Sequence, residues 1–155
     1  VATSRFNLCL TTQKSEYYDV VNSENRKQIV DIVLKHLPGV IGVYLFGSQV
    51  TGDTHAESDI DLALLAKSRL DPDLAFEIKS EISSQMRSNV DLVDLGRSDE
   101  VTNAQIVTYG DLLYSNTALQ CAQFETVALS KYAILNEERA EILADIQKRG
   151  QIYGR

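Results

Sequence analysis

Two short runs hold the residues best suited to chemistry: Gly47-Ser48 and, after ten intervening residues, Asp59-Ile60-Asp61. In an extended strand, residues two apart point to the same face. Asp59 and Asp61 would therefore stand side by side between the apolar residues Ile60, Leu62 and Leu64. Two carboxylates so placed repel each other unless water solvates them or a cation neutralises them. Hard oxygen donors of this kind suit Mg²⁺ or Mn²⁺. Gly47-Ser48 follows an apolar run, where turn amides and a small hydroxyl can approach a phosphate closely. A side chain at Gly47 would block that approach. A phosphate cradle beside metal-binding carboxylates is the layout that nucleotidyl transfer needs, with cations stabilising the attacking and leaving oxygens.

Such a site wants a third carboxylate, and Val90-Asp91-Leu92-Val93-Asp94-Leu95 offers two. Their spacing of three puts them on opposite faces of a strand, so only one can join. Period alone does not choose between them. Asp91 is the better candidate because the strand encloses it, whereas Asp94 lies at the strand end beside Gly96. Alone, a DxD or a GS pair is a weak signal, read equally well as a solvated edge and a turn. Their combination, strand before and strand across, is specific. His36 and His55 are isolated, and Cys9 and Cys121 lie far apart with no zinc spacing, which predicts two free thiols.

The flanking elements must position these groups. Glu24–Leu37 reads as a helix, capped by Asn22 or Ser23 and stopped by Pro38-Gly39. Val40–Phe46 reads as a buried strand, residues 49–57 as a hairpin-like turn, and Ser58–Leu65 as a second strand. Asp71–Met86 reads as a helix with proline in its first turn, and Asn89–Leu95 as a third strand. Ser98–Tyr109 reads as a helix ended by Gly110. After Leu112–Tyr114 comes a long helical stretch, Thr117–Lys148, with a possible break near Asn136. Residues 1–21 show no period and read as a leader or arm.

With 155 residues the chain is one domain, and 44% hydrophobic content supplies a core without disulfides. No apolar run approaches the ~20 residues of a membrane span, and no secretory signal is visible. The net charge of −7 disfavours a protein that coats nucleic acid. Together these readings predict a cytoplasmic protein.

Leu45-Phe46-Gly47-Ser48, Ser58-Asp59-Ile60-Asp61-Leu62 and Val90-Asp91-Leu92-Val93-Asp94-Leu95 resemble the minimal nucleotidyltransferases of the DNA polymerase β superfamily. Within it the chain is similar to the MNT antitoxins paired with HEPN ribonuclease toxins, over roughly residues 24–150. Leu112-Leu113-Tyr114, Phe124-Glu125 and Tyr132 resemble the C-terminal pattern of that subgroup. One departure is that relatives often carry Ala-Arg where Val50-Thr51 precede Gly52. The resemblance implies that Gly47 and Ser48 contact the triphosphate of ATP. It also implies that Asp59, Asp61 and Asp91 are the metal-binding and catalytic carboxylates, with Asp91 a ligand that can also serve as base.

The expected fold is α/β (α+β): a small mixed sheet with helices on one face and a long C-terminal helix. The expected divisions are a leader at 1–21, a nucleotidyltransferase domain at 22–115 and a helical segment of the same domain at 116–155. The resemblance implies transfer of AMP from ATP, with Mg²⁺ or Mn²⁺, to a tyrosine of a cognate HEPN ribonuclease toxin, in a hetero-oligomer. Two rivals are an antitoxin that acts by stoichiometric binding and a small-molecule, aminoglycoside-like nucleotidyltransferase. A C-terminal helix of about 30 residues is ~45 Å long, against ~30 Å for the whole domain. An overhang carrying Leu135, Ile142, Leu143 and Ile146 would then expose apolar surface and mark an interaction site.

Overall fold

A computed structural model describes residues 21–51 and 59–149. Among these described residues nine elements run in the order α1 (Ser23–His36), β1 (Gly42–Phe46), α2 (Ser48–Thr51), β2 (Ile60–Leu65), α3 (Pro72–Met86), β3 (Val90–Asp94), α4 (Glu100–Tyr109), β4 (Asp111–Ser115) and α5 (Ala118–Arg149). The four strands form one mixed sheet ordered β3-β2-β1-β4. β1 is antiparallel to both β2 and β4, while β2 and β3 are parallel. A parallel pair needs a crossover, and α3 supplies it.

Local chemistry sets the helix starts. Asn22 accepts from the Asn25 backbone N–H at 2.9 Å and caps α1. Asp71 caps α3 ahead of Pro72, whose missing N–H costs nothing in the first turn. Asp99 caps α4, accepting from the Thr102 N–H at 2.8 Å.

Strand parity divides the core into two layers. Val43, Leu45, Ile60, Leu62 and Leu64 face α1 and α3, where Ile29, Val33, Ile78 and Ile82 are buried. Tyr44, Ala63, Leu65 and Leu95 form the second layer with Ile106 of α4 and Cys121 of α5. The central strands β1 and β2 are apolar on both sides for this reason. Helix cover is thus fuller than the single helical face that the sequence suggested. α1 and α3 cover one face of the sheet, and α4 and α5 cover part of the other. Tyr44 donates to Glu125 at 3.2 Å beneath α5, and burial pushes its hydroxyl pKa far up.

Two further expectations change. The segment after Gly47 begins as the single helical turn α2, not as a plain hairpin turn; residues 52–58, with His55, lie outside the described residues. Asp111–Ser115 is an edge strand for which the sequence reading assigned no element. Its pairing with β1 carries an irregularity between Val43 and Tyr44, and such a strand shows no clean alternation. The leader up to residue 20, Cys9 included, also lies outside the described residues, while Val21 is buried in the core. Cys121 is a free, buried thiol.

α5 is unbroken at Asn136, and its 32 residues span ~48 Å. Its buried residues are Cys121, Glu125 and Ala128, all in its first half. Among the described residues, no helix is long and apolar enough to cross a membrane. A chain ending at Asn136 should therefore keep the fold. We expect its melting temperature to fall by no more than the ~2–4 °C that 1 kcal/mol represents in a chain of about this size, measured by circular dichroism. Global unfolding would mean that the last turns of α5 support the core.

Candidate active site

The site forms where β1 ends and β2 and β3 begin. Antiparallel pairing sets Phe46 opposite Asp61, so the chain leaves β1 beside that carboxylate. Gly47 turns there with φ +75°, a left-handed conformation that costs a side-chain-bearing residue about 1 kcal/mol or more. A Cβ at Gly47 would also collide with the Asp61 carboxylate. Glycine is required at this position for both reasons. Ser48 follows as the first residue of α2, half-buried, and the Val50 N–H closes the turn on the Gly47 carbonyl at 3.1 Å.

In the parallel ladder Asp61 pairs with Asp91. Both lie on the face of Ala63, Leu65 and Leu95, the face covered in part by α4 and α5. Asp59 immediately precedes β2 and is exposed. The three carboxylates therefore sit at one end of one sheet face. Burial, then the charges of Asp91 and Asp59, raise the Asp61 pKa above its ordinary value.

Asp94 has a different task. Its carboxylate accepts from the Leu70 N–H at 3.0 Å and the Gly96 N–H at 3.0 Å, tying the chain before α3 to the turn after β3. Asp91 instead accepts from the Leu92 N–H at 3.0 Å and lies 3.8 Å from Lys79 Nζ on α3. No signal in the sequence links Lys79 to Asp91, because the contact depends on how the crossover helix settles. His36, isolated in the sequence, lies between α1 and α3 against Glu81 and 3.7 Å from Glu77.

The family model for the polymerase β nucleotidyltransferase domain matches residues 27–118, which include the glycine turn and Asp59, Asp61, Asp91 and Asp94. The chain belongs to the polymerase β nucleotidyltransferase family. It is 35% identical over 122 residues to the protein adenylyltransferase MntA of Shewanella oneidensis, covering 79% of this chain and 87% of MntA. Among solved structures it is similar to a chain of a toxin–antitoxin complex with AMP-PNP, with TM-score 0.71 and 35% identity. That match covers 79% of this chain and 98% of the other. It is also similar to a chain of the complex of a tri-AMPylated Shewanella oneidensis HEPN toxin with its MNT antitoxin. There the TM-score is 0.66 and the identity 32%, over 80% of this chain and 97% of the other.

The donor set suits a hard divalent cation: oxygen ligands only, mutually repelling, one of them partly desolvated. Among the described residues, no three acid, histidine or cysteine side chains form a ready metal cage. The Asp91 carboxylate leans toward Lys79, and with a side chain 69% exposed it has room to turn.

Removing the Asp61 charge has a sign that can be checked. Its raised pKa favours the protonated form in the fold, so stability from this group is present at acid pH and lost as pH rises through the folded value. In EDTA, Asp61→Asn should match wild type at acid pH and become the more stable of the two toward neutrality. Melting curves across the carboxylate range test this. A gap that does not change with pH would show that repulsion at Asp61 is not its source.

Proposed function

We propose that this chain is an antitoxin that transfers AMP from ATP to a tyrosine of a cognate HEPN ribonuclease toxin, in the cytoplasm, and so neutralises it. The observation that carries this reading is the pairing of Asp61 with Asp91 beside the glycine turn. The names of its relatives, a protein adenylyltransferase and an AMPylated HEPN toxin bound to its MNT antitoxin, supply the acceptor.

In this reading Asp59, Asp61 and Asp91 would hold Mg²⁺, or Mn²⁺ in its place. The bound ion supplies positive charge against the charge that develops on the phosphoryl oxygens. Gly47 lets the backbone approach the triphosphate, and the Ser48 hydroxyl donates to it. The acceptor tyrosine oxygen forms a bond to the α-phosphorus while the bond from that phosphorus to the bridging oxygen breaks. Pyrophosphate leaves with the bonding electrons. The Asp91 carboxylate, the most exposed of the pair, takes the phenol proton.

Asp59 is exposed and the Asp91 side chain is 69% exposed, so the carboxylates lie at an open end of the sheet face. An open site favours a protein acceptor over an aminoglycoside-like hydroxyl.

Incubation with α-labelled ATP, Mg²⁺ and the cognate toxin should label a toxin tyrosine. Asp91→Asn should lower the rate by at least ~10²-fold, the lower end for loss of a general base. Asp94→Asn should keep the rate and cost about 1 kcal/mol of stability through its two backbone hydrogen bonds. A toxin neutralised without label would replace transfer by stoichiometric binding. The reverse ranking of Asp91 and Asp94 would overturn the site.

A further inference from the structure

The second half of α5 continues a stripe whose first half is already packed. Steps of four and three link Cys121, Glu125, Ala128, Tyr132, Leu135, Arg139, Ile142 and Ile146 along one helix face. Cys121, Glu125 and Ala128 are buried against the domain, and Tyr132 and Leu135 are half-buried. Beyond them the same face runs clear of the core. Ile142 and Leu143 are 59% and 60% exposed, and Ile146 beside them is half-buried. The spacing is that of a helix seam with no facing helix.

The charges along this seam identify what would face it. Glu138 and Asp145 edge it on one side, with Arg139 and Arg149 on the seam itself. They sum to zero in a chain of net charge −7, so this strip alone does not repel its own copy. Arg139 and Asp145 each lie three residues from Ile142, on opposite sides. Antiparallel pairing about Ile142 sets Arg139 of one copy against Asp145 of the other, a carboxylate that Arg149 of its own helix already holds at the seam edge by donating to it at 2.9 Å. Parallel pairing would set each charge against its like. Antiparallel helices also oppose their dipoles favourably.

We propose that the end of α5 pairs antiparallel with the same segment of a second copy of this chain, about a twofold axis near Ile142. The interface is isologous, so it closes at a dimer. It is independent of the nucleotidyl-transfer reading, because the seam lies in the part of α5 that leaves the core.

Sedimentation velocity on the full chain alone tests the pairing. Wild type should reach twice the monomer mass at high micromolar concentration, and Ile142→Asp should stay monomeric with unchanged circular dichroism. Arg139→Glu and Asp145→Arg should each weaken the dimer by about tenfold or more, and the two together should restore it. In a Cys9→Ser background, Ile142→Cys should cross-link to itself under mild oxidation, while Ile134→Cys, on a different face, should not. A monomeric wild type overturns the proposal, including the case in which α5 binds only the toxin. So does a dimer indifferent to Ile142→Asp, or a charge exchange that restores nothing.

Discussion

The site rests on the close approach of the Gly47 backbone to the Asp61 carboxylate. β1 and β2 are antiparallel neighbours, and their register brings the end of one strand against the acidic start of the other. A residue with a side chain cannot make that turn without displacing the carboxylate. Several features follow from this contact. Asp61 is partly desolvated, and its charge is resisted by Asp91 and Asp59. The central strands bury apolar side chains on both faces, so the acidic end is held by a rigid frame.

The parallel pairing of β2 with β3 explains the division of labour between two aspartates three residues apart. The ladder that puts Asp91 beside Asp61 turns Asp94 to the opposite face. There Asp94 joins two backbone amides and becomes structural. Lys79 belongs to the same logic. The crossover helix that makes the parallel pair possible also brings one ammonium to the exposed edge of the acidic group. A surface pair of this kind contributes little to stability, commonly 0–1 kcal/mol. Its effect is local, on where the Asp91 carboxylate points.

Much of this was legible in the residues because period and punctuation agree. Proline and glycine bound the helices, and Val40–Phe46 and Ile60–Leu65 are too apolar and β-branched for surface loops. Parity alone placed Asp91 with Val93 and Leu95, the face on which the structure has it. What stayed hidden depends on tertiary partners. Asp111–Ser115 becomes a strand only by pairing irregularly with β1. The helical turn at Ser48 is too short to have a period. The second helical layer rests on Tyr44, Ala63 and Leu65, ordinary strand residues until Ile106 and Cys121 arrive to cover them. The continuity of α5 through Asn136 was open for the same reason, because asparagine permits a break without requiring one.

If the acidic end of β2 exists to bind a nucleotide through a divalent cation, then nucleotide, cation and Asp61 must act together. Thermal shift with AMP-PNP, with and without Mg²⁺, on wild type and Asp61→Asn measures that coupling. Wild type should gain stability from AMP-PNP only when Mg²⁺ is present, and Asp61→Asn should gain none under either condition. Equal shifts in the two proteins would contradict a site built on that carboxylate.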